Sequence, residues 1–480
     1  MFGCNQTSVK YLKLIPVVVI IAGLSAGEKV SDRPWYRHIE QKELDIKFPE
    51  VGKAKLANGI ELYFVESHLI PQASAQIVLH GGEMEESAGN AGITTLWGES
   101  VLFSGSEKWP RDSLSRHFEN RGSSIQFSSS LQRTSISLTS LSGYFEKDLQ
   151  VALQVLMNPR FVEEDVELIR KNLLQGVEKR VENPGQLALL LSARQLFPDQ
   201  VRSQLATKTS LEAIKLNDLQ SWHKKMLKAA RITVLLSGDV NIAAAKALLE
   251  CNLGSLAYAS DDIANQSVLQ KKHSLPTGTA QIFNKEIPQS TLVLAARGIA
   301  HNAEDYIALR LFDFLLGGDS FNSALTQSIR TRNGWSYSTY SYFDTDQFTG
   351  SIRIFSQTEN KNVENVLREI KRLLENPAEY VNAESLRLAK ISMRNRFVFL
   401  YERPDQYLKL HMSLLWDGMP QDYLATLLSK TDKVTLEQVM AISKKYYQPE
   451  NFQLTLVGPV DALPSSIAPF AKKTSSAVLP

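Results

Sequence analysis

The 480-residue sequence predicts an α+β protein built from two homologous domains, each an antiparallel sheet covered by helices. Three observations lead there. Strand-like alternation and helix-like spacing follow one another in the same order twice along the chain. Local echoes tie the two runs together: Glu182-Asn183-Pro184 answers to Glu402-Arg403-Pro404 at an offset of 220, as Val234, Leu236, Gly238 and Val240 answer to Leu454, Leu456, Gly458 and Val460. Asn158-Pro159 answers to Asn376-Pro377 at 218, so one small gap separates the registers. Between the runs, residues 252–279 lose their periodicity and are rich in Ser, Asp, Asn and Gly, as a linker between domains is. The domains are therefore placed at 50–251 and 280–462.

In the first half, β-like runs at 60–65 and 75–80 flank the turn at Pro71 and predict a hairpin. Helical spacing follows at 91–102 and 111–120. The alternation SIQFSSSLQRTSISLTSL over 124–141 predicts two paired strands. Helices are expected at 144–157, 163–181, 186–197 and 216–227, then an all-apolar strand at 232–236 and a helix at 242–249. The second half repeats the scheme. A strand at 291–296 precedes a helix at 303–316, an alternating hairpin at 336–356, helices at 362–374, 383–401 and 405–416, and a closing helix and strand at 436–447 and 453–457.

Composition excludes several functions. With 53 basic and 51 acidic side chains and a net charge of +2, the chain has no basic patch of the kind that binds nucleic acid. There is no G-x-S-x-G elbow, no phosphate loop and no C-x-x-C pair. Lys10 and Lys13 precede the apolar run 14–24, and Ser25, Ala26 and Gly27 follow it, which predicts a secretory signal over 1–26 and an exported, periplasmic protein. The run is shorter than the roughly 20 residues a spanning helix needs, so no stable membrane span is expected after cleavage. An uncleaved N-terminal anchor is the alternative. Cys4 falls in the signal, leaving Cys251 alone in the mature chain without an internal disulfide partner.

The stretch from Ala91 to Ser106, A-G-I-T-T-L-W-G-E-S-V-L-F-S-G-S, resembles the G-L-A-H-F-L-E-H-M-x-F-x-G-T segment of M16 (pitrilysin-like) zinc peptidases. In that family two histidines four apart bind zinc and the glutamate before the second activates water. Aligned on 102–106, the histidine positions fall on Leu96 and Ser100 and the glutamate on Glu99. Aligned on Gly92, they fall on Thr95 and Glu99, with Gly98 at the acid. Neither register supplies a histidine. Glu99 thus reads as a vestige of the catalytic acid or as a solvated helix charge. The family's third ligand, a glutamate some eight residues before the Asn-Pro turn, corresponds to Gly176 beside Gln175; Glu178 reads as an exposed helix charge. The eight histidines include no pair three to five residues apart, and no metal site is expected in this chain.

The second half carries a different motif. In G-G-D-S-F-N-S-A-L-T-Q-S-I-R-T-R-N-G-W-S-Y, residues Gly317, Gly318, Ser323, Leu325, Arg330, Gly334 and Tyr337 match the family pattern of a glycine loop, S-x-L and R-x-x-x-G-x-x-Y. Tyr337 alone reads as strand packing; the whole frame favours a functional pair. The resemblance spans about residues 54–460 and implies two M16-like domains in a clamshell. It further implies a chain of the zinc-less type found in two-component bacterial M16 peptidases, with Arg330 and Tyr337 binding a peptide substrate and zinc carried by a partner M16 subunit. A catalytically inactive peptide-binding or scaffold protein is the alternative.

Overall fold

A computed structural model describes residues 48–198, 201–258, 279–319, 321–401, 403–462, 470 and 473–477. The predicted signal at 1–26, most of the predicted linker and Glu402 lie outside the described residues.

Two six-stranded sheets organise the chain. The first contains β1 (Gly52–Lys55), β2 (Glu61–Glu66), β3 (Gln72–His80), β4 (Ser124–Ser129), β5 (Arg133–Leu141) and β6 (Ile232–Gly238), in the order β1-β2-β6-β3-β5-β4. The second contains β7 (Thr279–Asn284), β8 (Gln289–Gly298), β9 (Ser336–Thr345), β10 (Gly350–Glu359), β11 (Gln453–Gly458) and β12 (Lys473–Ser476), in the order β12-β7-β11-β8-β10-β9. The inner orders correspond strand for strand, with β6 matching β11 as the 220-residue echo requires. The outermost strands differ: β1 comes from before β2 and pairs antiparallel, whereas β12 comes from the far end of the chain and pairs in parallel.

The predicted hairpin of 60–65 with 75–80 does not form. Val234 of β6 lies beside Leu62 in parallel and opposite Ile77 in antiparallel register, so β6 separates β2 from β3. Burial explains the insertion. An apolar strand such as β6 is most stable with both faces covered, and it is: Ile232, Val234 and Leu236 join the first core, while Leu235 packs on the opposite face.

In the first half the helices are α1 (Ile93–Ser104), α2 (Arg111–Glu119), α3 (Ser142–Met157), α4 (Glu163–Glu178), α5 (Pro184–Leu196), α6 (Lys208–Ala213), α7 (Leu216–Met226) and α8 (Ile242–Leu253). The second half has α9 (Tyr306–Asp313), α10 (Val363–Glu375), α11 (Ala383–Tyr401), α12 (Pro404–Trp416), α13 (Tyr423–Lys433) and α14 (Leu436–Tyr446). The helix expected over 303–316 is α9 followed by a π-helical turn at Phe314–Gly318. Sequence periodicity did not reveal β1, β7, β12, α6 or α13, all short or at the margins of stronger patterns.

The halves exchange helices. Leu187, Ala188 and Leu191 of α5 pack on Val293, Ala295 and Val457 of the second sheet. Tyr407, Leu408 and Met412 of α12 pack on Tyr63, Val65 and Leu235 of the first. Both helices start at the echoed prolines, Pro184 and Pro404, where a missing N–H is tolerated because a first-turn amide has no helical partner. Polar contacts reinforce the seam. Gln281 donates to the Leu191 carbonyl at 2.8 Å, and Arg133 pairs with Asp417 at 2.7 Å.

Candidate functional site

Glu86 positions α1 by capping its N-terminus. Its carboxylate accepts from the amides of Gly92 and Thr94 at 2.8 and 2.9 Å, supplying acceptors and negative charge where the helix exposes donors. Gly92 adopts φ 96°, a left-handed conformation that suits glycine at the turn into the helix. Ile93, Leu96, Trp97 and Val101 then face the core, and Trp97 donates from Nε1 to Nδ1 of His223 at 3.2 Å.

This packing decides what α1 shows to solvent. Leu96 and Ser100 are wholly buried, so the alignment that places ligands there would point them into the core. Thr95, Gly98, Glu99 and Leu102 lie on the side toward β4. Glu99 and Leu102 line an open cleft of about 590 Å³ with Arg111, Glu119, Gln126 and Phe127. Glu99 is exposed as a residue, and partial burial of its carboxyl raises it above the usual carboxylate range. Phe127 occupies the space over Gly98, because a Cβ there would come within 2.0 Å of its ring. On α4, Gln175, Gly176 and Glu178 are all exposed. Zinc does not fit these residues: neither register supplies a histidine, one puts Leu96 and Ser100, both buried in the core, at the metal positions, and the other puts Thr95 there with Glu99 and leaves the acid position to Gly98 under the Phe127 ring. Among the described residues, no group of three His, Cys, Asp or Glu side chains could hold a metal ion.

The second-half motif folds into a compact device. Gly317 lies so close to β9 that a Cβ would meet the Ser341 amide nitrogen at 2.3 Å, so the glycine lets the π-helical turn press against the strand. Leu325 is fully buried, and Ser323 donates to Thr326 at 3.1 Å, fixing the start of a second π-helical segment, Thr326–Arg332. That segment ends when Gly334 turns the chain at φ 65° and its amide donates to the Arg330 carbonyl at 3.0 Å. The chain then enters β9.

The reversal brings Arg330 and Tyr337 together. The guanidinium lies over the Tyr337 ring at 4.7 Å, and Phe321 flanks it at 5.9 Å. Tyr337 is 83% exposed and Phe321 66%, and Arg330 makes no ion pair among the described residues. Sequence reasoning missed Phe321; the available signal was a large apolar residue inside an otherwise polar Gly-Asp-Ser-Asn loop. A guanidinium held by its face leaves its N–H edge free, and the phenol adds an O–H donor. Both can donate to a peptide carbonyl without losing a proton. Neither Arg330 nor Tyr337 lines the Glu99 cleft.

Known proteins share this architecture. Residues 63–208 match the insulinase (peptidase family M16) family, and residues 213–393 match the peptidase M16 inactive domain. A protein of Helicobacter pylori described as non-peptidase homolog YmxG is 22% identical over 420 residues, covering 85% of this chain and 93% of that protein. A Rickettsia felis protein described as an uncharacterized zinc protease is 22% identical over 356 residues, covering 73% and 84%. The crystal structure of a peptidase M16 inactive domain from Pseudomonas fluorescens superposes with a TM-score of 0.73 at 22% identity, covering 86% of this chain and 98% of that one. At such identity the structural likeness speaks to the fold alone. Two adjoining family matches that together take in most of the chain, on a duplicated fold of this kind, identify it as a member of the M16 peptidase family.

Proposed function

We propose that this chain is the non-zinc subunit of a two-chain M16-type peptidase, exported to the periplasm, which presents Arg330 and Tyr337 to a peptide lying at the zinc of a partner M16 subunit. The stacked, solvent-facing Arg330–Tyr337 pair carries the reading. Its donors suit a peptide carbonyl on which negative charge develops. The packing around α1 supports the division of labour, since no histidine stands where the family places its zinc ligands and Leu96 and Ser100 are buried in the core.

The test is coexpression with a zinc-bearing M16 chain that contains H-x-x-E-H, comparing wild type with Arg330→Ala and Tyr337→Phe. The complex should form in all three cases, with peptide turnover lower by about 10²-fold in the variants, the scale for loss of one oxyanion donor. Unchanged complex formation together with unchanged turnover would remove the assigned role. A second reading, a peptide-binding or scaffold protein without proteolysis, is favoured by the likeness to a relative described as a non-peptidase homolog. Peptide binding without turnover beside every zinc-bearing partner tried would select it.

A further inference from the structure

The second half holds a partly open cavity of about 500 Å³ that the reading above does not use. Residues of α9, α11, α12, α13 and β9 line it, and Glu99, Arg330 and Tyr337 do not. Its size falls within the roughly 300–1,000 Å³ of small-molecule sites. Much of the wall is apolar, with Met393, Phe397, Leu410, Leu424 and Leu427 contributing aliphatic and aromatic surface.

Two donors on this wall lack acceptors. Arg310 lies over the Tyr306 ring at 5.7 Å, and its guanidinium makes neither an ion pair nor a side-chain hydrogen bond among the described residues. Tyr423, 5% exposed, has a hydroxyl with no hydrogen-bond partner among the described residues. A buried donor without an acceptor is destabilising, more so beside a cation partly withdrawn from water. The nearby carboxylates make no ion pair with Arg310, although Asp313 lies within its electrostatic reach. Asp313, wholly buried, takes a hydrogen bond from the Tyr447 hydroxyl at 3.1 Å, and Asp344 is exposed. The other basic side chains on the wall have carboxylate partners: Arg396 meets Asp319 at 3.5 Å, and Nε2 of His301 meets Asp417 at 3.2 Å. A guanidinium without an ion-pair partner beside largely apolar surface suits a monoanion with an apolar body.

We propose that this cavity binds a small organic carboxylate with an apolar tail, the carboxylate accepting from Arg310 and Tyr423 and the tail lying among the α11–α13 side chains. A planar carboxylate matches the guanidinium fork. The same chemistry is offered by a free aliphatic acid or by the carboxyl end of a peptide with an apolar last residue.

Calorimetry on the purified chain tests this with sodium decanoate, decanol, and an N-acetylated tetrapeptide ending in leucine beside its C-terminal amide. Decanoate should bind saturably with one site per chain, and decanol about tenfold more weakly or worse. Arg310→Gln should weaken decanoate about tenfold and Tyr423→Phe about threefold, while leaving decanol unchanged. Tighter binding of the free-carboxyl peptide than of decanoate, lost in its amide, would assign the site to peptide ends; the reverse would assign it to free acids. Should Arg310→Gln fail to fold, Leu424→Trp, checked by circular dichroism, fills the apolar end and should abolish binding. The proposal is overturned if neither carboxylate binds saturably, if decanol binds as well as decanoate, or if folded variants bind decanoate like wild type.

Discussion

Arg133, at the start of β5 in the first half, donates to the carboxylate of Asp417, just past α12 in the second, at 2.7 Å, and His301 reaches the other oxygen at 3.2 Å. Burial opposes ionisation of Asp417, but hydrogen bonds from His301 and Arg133 outweigh it and hold the carboxyl below its usual range. A depressed acid contributes stability above its unfolded pKa of about 3.9, and the contribution disappears as pH falls through the folded value. Arg133→Ala leaves a buried carboxylate short of one cation and should cost about 3 kcal/mol at pH 7. Urea unfolding at pH 7 and at pH 3 measures this; a cost that persists undiminished in acid would show that the ion pair is not its source.

Gly98 is a packing requirement of Phe127. Alanine normally favours a helix over glycine by about 1 kcal/mol, yet Gly98→Ala should destabilise by about 1–3 kcal/mol because its Cβ overlaps the ring. In a Phe127→Ala background the same substitution should turn neutral or stabilising. Additive effects in the double mutant, read from melting temperatures, would refute the steric account.

His223 accepts a hydrogen bond from Trp97, and His80 lies 3.0 Å from the Thr233 hydroxyl; burial pushes both imidazoles down to about 4. In the unfolded chain they take up protons near pH 6.5, whereas the folded protein resists until about pH 4. Protons therefore favour unfolding between those values, and stability should fall by about 3 kcal/mol for each histidine as pH drops from 7 to 4. His223→Gln, whose amide oxygen can still accept from Trp97, should flatten that slope by about half. Parallel pH profiles for wild type and variant would rule His223 out.

The exchanged helices predict coupling between the halves. Leu191→Ala on α5 and Met412→Ala on α12 each empty a fully buried position against the opposite sheet and should cost about 2–5 kcal/mol. Because each helix belongs to one half and packs on the other, both halves should lose protection together in hydrogen exchange. Protection lost only near the substituted helix would argue against cooperative interlocking.

Local patterns were informative where burial follows sequence spacing. The alternation over 124–141 became β4 and β5, and the apolar 232–236 run became the central strand β6, because side-chain period reports which faces leave water. Pairing was less legible. The hairpin expected around Pro71 failed because β2 and β3 both gain more by covering β6 than by meeting each other, and β6 lies some 150 residues away in sequence. At the site, R-x-x-x-G-x-x-Y placed Arg330 and Tyr337 in one motif, but their stacking depends on the left-handed turn at Gly334, and Phe321 joins them only through the folded loop.

By itself the sequence determined the duplication, the succession of elements and the lack of a histidine pair on α1, since these depend on residue identity and spacing. Only the tertiary structure decided which side of α1 faces the cleft, which half each of α5 and α12 covers, and where a guanidinium and a phenol meet. Those outcomes depend on competition among distant apolar surfaces for burial, and a periodic sequence records that a face is buried without recording what covers it.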